Sequence, residues 1–86
     1  MKEIERVLKA LANRRRLAIV KYLKRVRSTT VTEIADEIDL SFKSTSRHLA
    51  LLRSVDIIES DQRSLQMFYR LISNQKPIAR FVLSIL

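Results

Sequence analysis

The chain has 86 residues, enough for one small domain, and carries 17 Lys/Arg against 9 Asp/Glu for a net charge of +8. At this size one core buries a modest share of the surface, so oligomerisation would add apolar contact, and the positive excess points to an anionic partner such as nucleic acid, a membrane surface or an acidic substrate. With no cysteine and a single histidine, disulfides, thiolate metal sites and cysteine nucleophiles are excluded, and no cofactor or metal is expected.

The N-terminal stretch MKEIERVLKA mixes acids and bases among its apolar residues, unlike a secretory signal, and FVLSIL is far too short to span a bilayer. The expected location is therefore cytoplasmic, without a membrane partner. Ile4, Val7, Leu8 and Leu11 fall at i, i+3, i+4, i+7, which predicts a helix over about 2–12, with Asn13 as a cap. A second helix is predicted from about Arg14 to Val26, with Leu17, Val20 and Leu23 inward and Arg15, Lys21, Lys24, Arg25 and Arg27 in solvent; RSTT ends it. Thr30 and Glu33 have the S/T-x-x-E spacing of a capping box, so a third helix starts there, with Val31, Ile34, Ala35 and Ile38 as its apolar face, and stops at Asp39.

Ser41 then caps a fourth helix, leaving a turn of only about three residues. Its inward seam is Thr45, Leu49, Leu52 and Val55, while Lys43, Ser44, Ser46, Arg47, Ala50 and Arg53 face outward. After Asp56 the period changes. IIES and LQMFYRLI read as two strands joined by a polar DQRS turn, with Arg63 near the tip. Pro77 suits the first turn of a last helix, about 76–86, along which Ile78, Phe81, Val82, Ile85 and Leu86 recur.

Two short helices joined by a tight turn (about 31–54), the second cationic on its free face and followed by a hairpin (about 57–72), describe a winged helix-turn-helix. The expected fold is mainly α with a small two-stranded wing, about five helices, in a single domain over 1–86. A helix that offers short hydroxyls and Arg or Lys, and no acid, suits the major groove of DNA; the bland alternative is a helical hairpin with a solvated charged face. No paired carboxylates, nucleophile with base, or glycine-rich phosphate loop is evident, so an enzyme is not expected.

LKALANRRRLAIVKYL, VTEIADEIDLSFKSTSRHLALLRSVDIIES and MFYRL resemble successive segments of the ArsR family of winged-helix repressors, over about residues 7–71. The most specific piece is Ser46-Arg47-His48-Leu49 followed by Leu52, supported upstream by Arg16-Leu17. The resemblance implies a homodimer through the first and last helices, a recognition helix in the major groove and a wing along the backbone or minor groove; it also implies a structural Arg16. Where the family usually has glycine, this chain has Asp39 and Asp56, and with no glycine anywhere these must supply the left-handed conformations. The metal-sensing members use cysteine pairs or His/Asp/Glu clusters that are absent here, so metal sensing is not expected and the effector is unknown.

The expected DNA-binding residues are Phe42, Lys43, Ser44, Ser46, Arg47 and Arg63, with Phe42 either touching a thymine methyl or packing under the wing. His48 lies at the helix boundary, as a packing residue or a phosphate contact. Ile4, Val7, Leu8, Ile78, Phe81, Val82 and Ile85 are the expected dimer interface, against the alternative that the last helix merely caps its own core. Residues 1–27 hold ten Lys/Arg and two Asp/Glu, while residues 28–86 hold seven of each. That basic third is either a solvated face or phosphate contact beside the recognition helix. The two functional readings are a homodimeric sequence-specific regulator of transcription, expected to be a repressor, that binds double-stranded DNA at a pseudo-palindromic operator, and a winged-helix protein-interaction module that does not read bases.

Overall fold

A computed structural model describes residues 1–86. The order is α1 (Lys2–Leu11), α2 (Arg14–Val26), β1 (Ser28–Thr30), α3 (Val31–Ile38), α4 (Phe42–Ser54), β2 (Ile58–Arg63), β3 (Gln66–Leu71) and α5 (Pro77–Ser84). Helix α2 packs against α1, α3, α4, α5, β1 and β3. Enclosed on so many sides, it buries Ile19, Val20 and Leu23 completely or nearly so, although 19 and 20 are adjacent positions. They join Val7, Leu11, Ile34, Leu49, Leu52, Ile57 and Ile58 in one core. Each such aliphatic side chain contributes about 1.5–3 kcal/mol when fully buried.

Side-chain caps set the helix starts. Asn13 Oδ1 accepts from the backbone N–H groups of Arg15 and Arg16, both at 3.0 Å, and Ser41 Oγ accepts from Ser44 N at 3.1 Å. Thr30 Oγ1 accepts from Glu33 N at 3.3 Å, which is one half of the expected capping box. The other half is rewired, because the Glu33 carboxylate accepts from the hydroxyls of Thr29 at 2.9 Å and Thr30 at 3.3 Å. Asp39 ends α3 in the left-handed region at φ 55°, ψ 54°, and Asp56 has φ 60°, so both stand in for the missing glycine at some steric cost. Arg27 and Ser64 also have positive φ.

Two expectations about the sheet need correction. The sheet has three antiparallel strands in the order β1-β3-β2, whereas the sequence shows two. Ser28–Thr30 pairs with Phe68–Arg70 instead of serving only as a helix terminator. DQRS is not the turn either: Asp61, Gln62 and Arg63 are paired with Phe68, Met67 and Gln66, leaving Ser64 and Leu65 as a two-residue loop. Of those two, Ser64 alone has positive φ, the sign pattern of a type II′ turn. Asp61 stays in the strand because its carboxylate has cross-strand and same-strand partners in Arg70 and Arg63.

Thr45 sits in the seam between α4 and the core with 0% exposure, and its hydroxyl has no hydrogen-bond partner. A buried hydroxyl of this kind costs about 1–3 kcal/mol in desolvation. Thr45→Val keeps the shape and removes the hydroxyl, so it should stabilise the fold by about 1 kcal/mol and raise Tm by several degrees. A lower Tm in thermal unfolding would show that the hydroxyl is satisfied.

Candidate nucleic-acid interface

The outer face of α4 follows from its inner one. With Thr45, Leu49 and Leu52 pinned in the core, the helical period turns Lys43, Arg47 and Ala50 to solvent and leaves Ser44 and Ser46 half-buried. Phe42, in the first turn, is 61% exposed. Neither Lys43 nor Arg47 is engaged by a protein carboxylate, and α4 contains no acid. The first two turns thus offer two unpaired cations, Lys43 and Arg47, and two hydroxyls, Ser44 and Ser46, toward the positive end of the helix dipole, an arrangement suited to base edges and phosphates.

His48 is held from behind. Arg16 donates from Nη1 to His48 Nδ1 at 3.2 Å, from Nε to the Ala10 carbonyl at 2.6 Å and from Nη2 to the Lys9 carbonyl at 3.2 Å. Because a guanidinium only donates, Nδ1 must be the unprotonated nitrogen and the ring neutral. Partial burial and the charges of Arg16, Arg15 and Arg47 together press its pKa below the ordinary imidazole value. Through Arg16, half-buried His48 is linked to the C-terminus of α1.

The wing presents little free charge. Arg63 Nε lies 3.0 Å from Asp61 Oδ2, and its guanidinium is 4.6 Å from the Phe68 ring centroid. Arg70 donates to Glu59 at 3.0 Å and also to Asp61. Arg63 is thus near the tip, as expected, but drawn onto its own hairpin. The tip itself is Ser64 and Leu65, the latter 94% exposed. A cleft of about 300 Å³ between the wing and the first turns of α3 and α4 is lined by Thr32, Phe42, Ser46, Leu65, Gln66 and Met67, among others. The alternation over LQMFYRLI reads Leu65 as the first residue of the second strand; the structure instead puts it at the tip, because pairing closes at Arg63 and Gln66. Arg53 joins the end of α4 to β2 through Ser60 Oγ at 3.0 Å.

On another face, Ile4, Leu8, Phe81 and Ile85 are 46%, 44%, 63% and 67% exposed, and Ile78 and Val82 are half-buried. Ile4, Ile78 and Phe81 line a groove of about 440 Å³ between α1 and α5, spanned at its edge by the 2.9 Å Lys76–Glu3 ion pair. That pair holds the Glu3 carboxyl below its usual range. Val7 needs correction as an interface residue: it is 1% exposed, since α1 turns Val7, Ala10 and Leu11 into the protomer's own core. No three His, Cys, Asp or Glu residues converge as a metal site would require, and no helix is long and apolar enough to cross a membrane.

A capped, acid-free cationic helix behind a tight left-handed turn, followed by a β-hairpin, defines a winged helix-turn-helix protein of the DNA-binding class. The family model for bacterial regulatory proteins of the arsR family matches residues 13–60, more than half of the chain. The chain belongs to that family and forms the DNA-binding domain of an ArsR-family transcriptional regulator. Among solved structures, reduced HlyU from Vibrio cholerae is 28% identical, with a TM-score of 0.83 over 99% of this chain and 85% of its own. The homodimeric winged helix-turn-helix DNA-binding domain of a possible ArsR-family regulator from Mycobacterium bovis is also 28% identical, TM-score 0.83, over 98% of this chain and 75% of its own. The transcriptional repressor BigR from Xylella fastidiosa is 28% identical, TM-score 0.80, over 98% and 80%. A search of curated proteins finds no match.

The pKa of His48 is lowered in the fold, so as pH falls through about 6.5 the unfolded chain takes up a proton that the native chain resists. Stability is full above that pH and declines toward pH 5. His48→Gln, which retains an acceptor for Arg16, should flatten this decline in urea melts at pH 7.5, 6.5 and 5.5. Parallel pH profiles for the two proteins would remove His48 as its source.

Proposed function

We propose that the chain is a homodimeric repressor of transcription that reads a partly palindromic duplex. The observation that carries this reading is the free face of α4, on which Lys43 and Arg47 lack acidic partners and lie in line with Ser44, Ser46 and the exposed Phe42. In the major groove Arg47 and Lys43 can pair with guanine, the serines can serve either donors or acceptors, and Phe42 can meet a thymine methyl. Phosphate contacts supply most of the affinity. Arg63, held by Asp61 and Phe68, is assigned a backbone contact from the wing rather than base reading.

The apolar face formed by Ile4, Leu8, Ile78, Phe81, Val82 and Ile85 is assigned to the dimer. A second copy would cover it, as two-fold dimers cover self-complementary patches; the homodimeric Mycobacterium bovis domain supports this choice. The two copies of α4 then lie about 34 Å apart, one turn of B-DNA. Repression is favoured by the likeness to the BigR repressor.

Selection from a random pool of duplexes supplies the test. Arg47→Ala should weaken the selected duplex by roughly 1–3 kcal/mol relative to a scrambled one. Equal affinity of the parent protein for both would favour a protein-interaction module instead. Phe81→Glu combined with Ile85→Glu should leave a folded monomer in sedimentation and abolish specific binding. A dimer that survives both changes would move the interface elsewhere.

A further inference from the structure

The basic first third of the chain is not used up by the face of α4. Helix α2 opens with Arg14, Arg15 and Arg16 and no acid in its first turn, which places three cations at the positive end of its dipole and opposes helix formation there. Arg16 is explained by its bonds to α1 and His48. Arg14, Arg15 and Lys21 are in no salt bridge and their side chains donate to no protein acceptor. They line one wall of an open groove of about 480 Å³ between α2 and the C-terminal end of α3, together with Tyr22 and Arg25. Arg25 is partly occupied, by Glu37 at 3.3 Å and by the Tyr22 ring at 5.2 Å.

The groove adjoins the recognition helix at two points. Its opposite wall, at the end of α3, holds the acids Glu37 and Asp39, and Asp39 is two residues before Ser41, the cap of α4. Arg15 is next to Arg16, whose guanidinium reaches His48, itself next to Arg47. From Arg14 to Lys21 the helix rises about 10 Å, close to a third of a turn of duplex, so a strand lying along it would pass a few phosphates. Free cations that cost local helix stability and run on from the face of α4 indicate an anionic polymer that continues past that face.

We propose that the Arg14–Lys21 face of α2 is a second phosphate-contact surface, gripping the duplex backbone outside the base pairs read by α4. The proposal rests on the DNA-binding reading above. It gives the basic first third a specific role: anchorage on flanking DNA of any sequence.

The test compares a selected duplex extended by about 10 base pairs at each end with the same duplex trimmed to its two half-sites. Arg14→Gln, Arg15→Gln and Lys21→Gln combined should lower affinity for the long duplex by about 10- to 100-fold at 0.1 M salt, and reduce the slope of log K against log salt by about 2–3. The trimmed duplex should bind parent and variant alike. Arg14→Lys, Arg15→Lys and Lys21→Arg combined should restore the slope, because a phosphate contact needs the charge and little else. Unchanged affinity for the long duplex overturns the proposal, and so does an equal loss on both duplexes, or a loss that the charge-keeping variant does not rescue. If the parent protein binds both duplexes with no preference for the selected sequence, the base-reading assignment fails while a flank-length effect still reports on α2; if it binds neither, both readings fall. Far-ultraviolet circular dichroism of each variant confirms the fold before titration.

Discussion

One guanidinium braces α4 against α1 and α2. Arg16 gathers the last carbonyls of α1, at Lys9 and Ala10, and the imidazole of His48 on α4, so three helices meet on a single planar, always-charged group. Hydrogen bonds to a charged donor contribute about 1.5–3 kcal/mol each where they are shielded from solvent. The price is that Arg16 stands in the first turn of α2, where its charge opposes the dipole; Asn13 offsets this by accepting two of the orphan N–H groups. A lysine could supply the charge but not three donors in fixed directions, which is why the position calls for arginine. His48 follows from the same geometry: its Nδ1 accepts from Arg16 only while the ring is neutral.

Local chemistry with a short reach was legible in the sequence. The caps at Asn13, Thr30 and Ser41 and the seam of Thr45, Leu49 and Leu52 each depend on residues within a turn or two, and each is where spacing put it; the left-handed Asp39 and Asp56 are where the family resemblance implied them. Features that exist only through a distant partner were not. Strand β1 is three polar residues long and is a strand only because β3 lies beside it. The hairpin ran further than DQRS suggested, because Asp61 and Arg63 gain partners at Arg70 and Phe68. Helix α5 is apolar nearly all round, so periodicity could not decide its inner face. The structure puts Ala79 and Leu83 inside and Phe81 and Ile85 outside. On α1 the single apolar stripe splits in the same way, with Val7 inside and Ile4 and Leu8 at the surface.

The distribution of charge has a structural logic of its own. In the wing, Glu59 and Asp61 face Arg63 and Arg70 in a ladder that stiffens the hairpin and cancels its charge. On α4 and the first half of α2 the cations have no such partners. Lys43 and Arg47 on α4 and Arg14 and Arg15 on α2 therefore keep uncompensated charge, whereas the two cations of the wing are matched by its two acids. With no glycine in the chain, the turns linking these surfaces are held by Asp39, Asp56, Arg27 and Ser64 at positive φ, which carry a side-chain penalty but lose less backbone entropy than glycine would.

A second cation clamp completes the frame. Lys24 Nζ donates to the Leu83 carbonyl at 2.7 Å and the Leu86 carbonyl at 3.2 Å, so the C-terminus of α5 is fastened to α2 much as the C-terminus of α1 is fastened by Arg16. Both terminal helices thus end on basic residues of α2, satisfying carbonyls that no further helical turn would cap. Since α1 and α5 carry the exposed apolar face and α4 carries the free cations, α2 is the element that sets the angle between them. If two copies associate through that face, the separation of their recognition helices is fixed by how rigidly α2 is held. Arg16 and Lys24 then bear on that separation even though both side chains are bound to protein carbonyls.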